Sequence, residues 1–276
     1  MRRDSTRVAR ATLLLAFAAC AWGGTMYTFE APTYSGSGAG VGLGGQDGWF
    51  INGGMGDATV RTYADTGAPV PFDGGAQFIA LFGPNIQDNH LASFAGASVW
   101  DVSFDILVHS FDPGNPSAGS FFLYTPATGY ELHAFPYMGP GGTWIADFDV
   151  FDQAGNRLNG QNPGGGFVGL NMDRWYQEQI VIDTDTNQIL SVSVGDPGNP
   201  AAAATYDPAG WYLYGGAAAP FSVSGLGVFA SGTLGFDNIA LDQVQTPEPA
   251  SWGLGLAGVA ALSWMRARRR RQQARG

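Results

Sequence analysis

Between residues 27 and 245 the apolar positions recur every second residue, in short runs broken by Gly, Pro, Asn and Asp. The cleanest run is 100–108, where Trp100, Val102, Phe104, Ile106 and Val108 alternate with Asp101, Ser103 and Asp105. A period of two predicts a strand with one dry and one wet face. Residues 144–151 alternate less cleanly, with Trp144, Ala146, Phe148 and Val150 on one side. Residues 175–183 and 189–194 read as a hairpin closed through Thr184-Asp185-Thr186-Asn187. Further strands are expected at 58–63, 77–82, 121–124, 130–135, 223–229 and 233–241. The Gly/Pro-rich intervals 112–119, 159–166 and 196–204 read as surface loops. About ten strands and no central helix predict an all-β body built as a two-sheet antiparallel sandwich.

Both ends of the chain depart from this pattern. Residues 11–21 form an apolar core behind Arg2, Arg3, Arg7 and Arg10, the layout of a secretory signal helix. Ala19-Cys20-Ala21 and Gly23-Gly24 are the two candidate cleavage sites. Ala18-Ala19-Cys20 also resembles the end of a lipoprotein box, with Phe17 where that box usually has Leu. Export by this route makes the Sec translocon and signal peptidase the expected partners. Near the other end, 250–265 is an apolar run of 16 residues. As a helix it would span about 24 Å, a little short of a ~30 Å hydrocarbon core. Trp252 and Trp264 sit near its ends, and Arg266, Arg268, Arg269, Arg270 and Arg271 follow as a membrane stop that keeps the C-terminus cytoplasmic. The expected division is a signal peptide at 1–24, a jelly-roll sandwich at 25–245, and a segment at 246–276 with a single transmembrane helix.

Charge is segregated in the same way. Residues 27–245 hold 21 Asp and Glu against Arg61, Arg157 and Arg174, a net of −18, and the chain has no Lys. Such a body repels phosphate backbones, so nucleic acid is excluded as a partner. Cys20 is the sole cysteine, so no internal disulfide forms. There is no Gly-x-Ser-x-Gly elbow, no His-Glu-x-x-His and no phosphate-binding loop. His90, His109 and His133 lie far apart without metal-ligand spacing. These absences lead to the expectation that the body is not an enzyme. Asp183 to Asn187 imitates the start of a calcium loop, but Gln188 stands at its sixth position and Val194 at its twelfth. A polar hairpin turn is the expected reading. Exposed aromatics could stack on sugar rings, and Trp49, Trp175, Trp211 and Tyr214 are the candidate platforms.

Three resemblances add to this. Phe29-Glu30, Gly45-Gln46-Asp47-Gly48-Trp49, Asp173-Arg174-Trp175, the 183–187 turn and Phe236-Asp237-Asn238-Ile239 together resemble concanavalin A-like, laminin-G-like sandwich domains of exported bacterial proteins. In many jelly-roll carbohydrate modules a first-strand Glu and a last-strand Asp hold a structural Ca²⁺, which makes Glu30 and Asp237 the candidate ligands and calcium the one candidate cofactor. Asp147-Phe148-Asp149-Val150-Phe151-Asp152 is similar to the Glu-x-Asp-x-x-Glu strand of glucanases with the concanavalin A-like fold. That likeness gives the alternative of a secreted glycoside hydrolase using Asp147 and Asp152, each a methylene shorter than the family's Glu.

The third is the most specific. Pro247-Glu248-Pro249, a short apolar stretch and terminal arginines, in that order, resemble the PEP-CTERM sorting signal, with Thr246 where Val is usual. The resemblance implies a substrate of exosortase, a membrane-embedded cysteine protease-transpeptidase of Gram-negative bacteria that make exopolysaccharide. It further implies export across the inner membrane, transient anchoring, and delivery to the cell surface or matrix in association with exopolysaccharide. A permanently anchored, uncleaved structural protein is the other reading of the same tail.

Overall fold

The computed structural model describes residues 24–70, 75–125, 129–161, 167–199 and 203–244. The body is an all-β sandwich of two antiparallel sheets. Sheet I runs in the order β15 (Ala204–Tyr206), β14 (Gln188–Gly195), β13 (Trp175–Asp183), β7 (Val99–Ser110), β17 (Thr233–Gln243), β5 (Gln77–Phe82), β4 (Thr59–Thr62), β2 (Val41–Gly42), with β1 (Thr25–Tyr27) on β17. Sheet II runs β11 (Arg157–Gln161), β10 (Thr143–Phe151), β9 (Gly129–Met138), β8 (Gly119–Thr125), β16 (Gly225–Ala230), β6 (Ile86–Leu91), β3 (Phe50–Ile51), with β12 (Leu170–Asn171) on β10. The single α-helix among the described residues, α1 (Tyr63–Thr66), is one turn capped by Thr62. No helix among them is long and apolar enough to cross a membrane. The signal helix and the transmembrane helix expected at the two ends lie outside the described residues.

Period-two patterning places the core. Val102, Phe104, Ile106 and Val108 of β7 face Phe121 and Leu123 of β8, Phe148 of β10 and Leu226 and Val228 of β16, all in one buried cluster. Phe104 stacks on Phe121 across the two sheets at 4.2 Å. Not every inward position is apolar. Glu178 shares the inward parity of Tyr176, Ile180 and Ile182, is fully buried, and has no hydrogen-bond partner on either carboxylate oxygen.

The expected strands all form, and β7, β10, β13 and β14 run within a residue or two of their expected limits. The strands left unmarked by the sequence are β1, β2, β3, β6, β11, β12 and β15, and β11 and β15 take up the edges of the intervals 159–166 and 196–204 that were expected to be loops. The longest of them is β6, Ile-Gln-Asp-Asn-His-Leu, which has no apolar alternation. Its inward Asp88 is buried and accepts the Ala58 N–H at 2.7 Å. Its Gln87 and Asn89 lie on the opposite, outer face of sheet II. A polar strand in mid-sheet lies over something other than core, and that outer face holds the candidate site.

Candidate functional site

The outer face of sheet II is hollowed in two adjoining places. One hollow, of about 480 Å³, is lined by Phe50 and Asn52 near β3, by Gln87, Asn89 and Leu91 of β6, by Phe122, Tyr124 and Thr125 of β8, and by Gly129 and Tyr130 of β9. The other, of about 200 Å³, is lined by Tyr130, Leu132, His133, Asp149, Phe151, Arg157 and Tyr214. Tyr130 belongs to both, so the two form one groove running across the strands from β3 to β11.

The floor of the groove is set by glycine. Gly225 and Gly227 of β16 pair with Tyr124 and Phe122 of β8. A Cβ on Gly227 would meet Phe122 Cζ at 2.4 Å and Asn89 Oδ1 at 2.6 Å, and one on Gly225 would meet Tyr124 Cε1 at 2.5 Å. The missing side chains let both rings lie down over the sheet. This is why β8 is buried along its whole length although its Ser120, Phe122 and Tyr124 point away from the core.

The polar groups divide by hollow. In the larger one, Gln87 Nε2 donates to Asn89 Oδ1 at 3.2 Å, leaving Gln87 Oε1 and Asn89 Nδ2 for other partners. The Tyr124 hydroxyl is buried without a hydrogen-bond partner, and burial raises its pKa above the usual tyrosine value. In the smaller one, Arg157 Nη2 binds Asp149 Oδ2 at 2.5 Å and Gly160 N–H donates to Asp149 Oδ1 at 2.8 Å. His133 Nε2 is buried and also lacks a partner. Burial pushes the imidazole down to about 4, with nearby Asp149 opposing and Arg157 assisting. Asp147, on the same strand face as Asp149, is pushed up to about 6, mainly by burial. Unpartnered buried polar atoms in a groove wall are the kind a ligand completes.

Of the aromatic platforms expected from the sequence, Tyr214 alone lines this groove. It is 40% exposed and stands edge-on to Phe151 at 5.3 Å. The 183–187 turn holds it there. Asp183 Oδ1 accepts the Asp185 N–H, and Asn187, in the left-handed region at φ 59°, donates from Nδ2 to the carbonyls of Tyr214 and Gly216 at 3.0 Å each. That turn is hairpin chemistry rather than a calcium loop. The three tryptophans are corrected. Trp49 is 1% exposed and donates to the Tyr34 hydroxyl. Trp175 is buried against Tyr63 and Phe78 on the far face of sheet I and donates to the Pro69 carbonyl at 2.6 Å. Trp211 packs on Phe148 and Tyr206. Large rings found burial before they found a surface.

The Asp147/Asp152 pair is not assembled as a catalytic dyad. Asp152 lies just past β10, and its carboxylate accepts Ala154 N–H, Asn156 N–H and Asn156 Nδ2, which hold it below the usual carboxylate range, the Asn156 amide most of all. It caps a turn.

Glu30 and Asp237 both approach Gly75. Glu30 Oε1 lies 2.8 Å and Asp237 Oδ2 3.6 Å from where a Cβ on Gly75 would stand. Glu30 accepts the N–H groups of Ala76 and Gln77, and Asp237 accepts the Tyr63 hydroxyl at 2.6 Å. Calcium takes roughly six to eight oxygens. Among the described residues no group of three or more His, Cys, Asp or Glu could hold a metal ion, so they do not by themselves form that cage.

No family model and no curated protein matches this chain. Solved structures that align with it include the alginate lyase vAL-1 from a Chlorella virus, at 11% identity and a TM-score of 0.42 over 72% of this chain and 95% of that one. Peanut lectin aligns at 14% and 0.44, over 81% and 99%, and basic winged bean lectin at 10% and 0.43, over 79% and 98%. Several of the aligned structures are alginate lyases, which are enzymes, and the expectation that the body is not an enzyme is withdrawn on that finding. No site residue is transferred from them.

Proposed function

We propose that this protein is exported, is delivered to the cell surface or matrix through its C-terminal sorting segment, and engages a polysaccharide in the groove of sheet II. The groove carries the second half of this reading. Its amides, its aromatic faces around Tyr130 and its two unpartnered polar atoms, Tyr124 Oη and His133 Nε2, match what a sugar chain offers: C–H faces for rings and hydroxyls for hydrogen bonds. The first half rests on Pro247-Glu248-Pro249 and the segment behind it, with exosortase as the processing partner and exopolysaccharide as the nearest ligand at the destination.

The test of the groove is affinity electrophoresis of the full-length chain in gels containing soluble polysaccharides. Tyr130→Ala, at the junction of the hollows, is expected to abolish retardation, and Trp175→Phe, on the other sheet, to leave it intact. Equal retardation of wild type and Tyr130→Ala would refute the assignment. The test of the address is mass spectrometry of the mature C-terminus: a chain intact through Gly276 rejects sorting.

A further inference from the structure

We infer that the groove selects an uncharged polysaccharide and rejects polyuronates, an inference that rests on the polysaccharide reading above. The argument is one of charge placement. Residues 27–245 contain three cationic side chains apart from histidine. Arg61 lies over the Phe82 ring, on sheet I. Arg174 is paired with Asp196, away from the groove. Arg157 alone lines the groove, and its guanidinium is already bound by Asp149.

The remaining titratable groups there do not supply a cation. His133 is held neutral at physiological pH by its burial. Asp149 lines the β10 side, with Asp147 two residues before it on the same strand face, and on the β6 and β8 side the polar lining is Asn52, Gln87, Asn89, Thr125 and the Tyr124 hydroxyl. Segments 126–128 and 162–166, which follow β8 and β11 in the sequence, contain no charged residue.

A polyuronate laid in this groove would strip water from a carboxylate on every sugar with no free cation in exchange, and would do so within the field of a body of net charge −18. A neutral chain meets neither cost. Its hydroxyls find amides that both donate and accept, and its apolar faces find the exposed rings of Tyr130 and Tyr214. Sheet II runs from β3 to β11 through seven strands. At a spacing of ~4.8 Å that is roughly 29 Å, room for several sugar rings in line.

The experiment runs the full-length chain, purified in mild detergent, through native gels cast with a neutral β-glucan, a neutral mannan, alginate or polygalacturonate, at low and at physiological ionic strength. The expected result is retardation by at least one neutral polymer that exceeds retardation by either polyuronate about tenfold at low salt, with the gap narrowing but not inverting as salt screens the repulsion. Retardation by a polyuronate equal to or greater than that by the neutral polymers overturns the inference and leaves the polysaccharide reading standing. Retardation by none of them overturns both. Asp149→Asn, which frees the Arg157 guanidinium, is expected to gain salt-sensitive retardation by polyuronates. A variant that melts like wild type yet shows no gain also overturns the charge argument.

Discussion

The Tyr130 ring stands edge-on to the His133 imidazole, with centroids 3.8 Å apart and planes at 72°. Phe122 closes on the same imidazole at 5.6 Å and on Tyr130 at 5.2 Å. These rings cover much of the histidine in the smaller hollow, and its buried Nε2 has no partner. Loss of water disfavours the charged imidazolium, so the group is kept as a neutral hydrogen-bonding side chain.

That arrangement sets the titration of His133. Its imidazole is expected to titrate near 4, followed by NMR of the ring carbons. Tyr130→Ala readmits water and should move the midpoint up toward the ordinary 6.5, and Arg157→Gln, by removing a repelling charge, should move it up as well. A wild-type midpoint above 6 would contradict the burial that the groove depends on.

Gly227→Val attacks the floor instead of the wall. The new side chain must displace Phe122 and Asn89, whose atoms lie at 2.4 and 2.6 Å from its Cβ. Overpacking of this kind costs about 1–3 kcal/mol, or a fall in Tm of roughly 3–10 °C. Polysaccharide retardation should weaken in the same variant, because the displaced groups line the larger hollow. Unchanged melting together with unchanged retardation would show that the rings do not lie where the groove needs them.

Tyr214 and Trp175 separate binding from stability. Tyr214→Ala removes a half-exposed ring at the groove rim and is expected to weaken polysaccharide retardation with a change in Tm of only about 1–3 °C. Trp175→Phe loses the hydrogen bond to the Pro69 carbonyl and ring area packed on Tyr63 and Phe78. It should cost about 1–3 kcal/mol of stability, read from thermal melts, without altering retardation. The reverse pattern would place the ligand on sheet I.

The fold was legible in the sequence because alternation is a direct image of the sandwich: Trp100 to Val108 marks the core side of β7. The wet face expected opposite it is corrected, since Asp105 and Leu107 are buried there and Leu107 packs with Tyr63, Phe78 and Trp175 on the far face of sheet I. The groove was hidden where that alternation fails. In β6 the inward position is Asp88 and the outer positions are Gln87 and Asn89, so the strand had no hydrophobic period to read. Gly225 and Gly227 fall inside the expected strand 223–229, but the sequence carried no sign that they admit the rings of Phe122 and Tyr124. Trp49, Trp175 and Trp211 were visible as large rings, but ring size alone cannot tell a platform from a core. The nearness of Glu30 and Asp237 to Gly75 came with the jelly-roll resemblance, although Glu30 lies past the end of β1. What holds each carboxylate did not, since Tyr63 and the Ala76 and Gln77 amides come from elsewhere in the chain.

Glu178 gives the last prediction, on stability rather than binding. Its carboxyl is sealed in the core, and burial pushes its pKa up to about 8 from 4.5. Between those values the folded protein keeps a proton that the unfolded chain has released. Stability is therefore fullest below about pH 4.5 as far as this group is concerned, and it is lost progressively as pH rises to about 8. Asp147, raised to about 6, and Asp88, raised to about 7, act in the same direction over narrower windows. His133 opposes them between about 4 and 6.5, because its unfolded form binds the proton more readily. Glu178→Gln keeps the shape and deletes the titration. Thermal melts should show the variant close to wild type near pH 5 and more stable than wild type at pH 8, by on the order of a few kcal/mol. Glu178→Met, which also removes both unpartnered oxygens, should be stabilised at pH 8 as well. Melting curves of wild type and Glu178→Gln that stay parallel from pH 5 to pH 8 would mean that the carboxyl reaches water or a partner within the core.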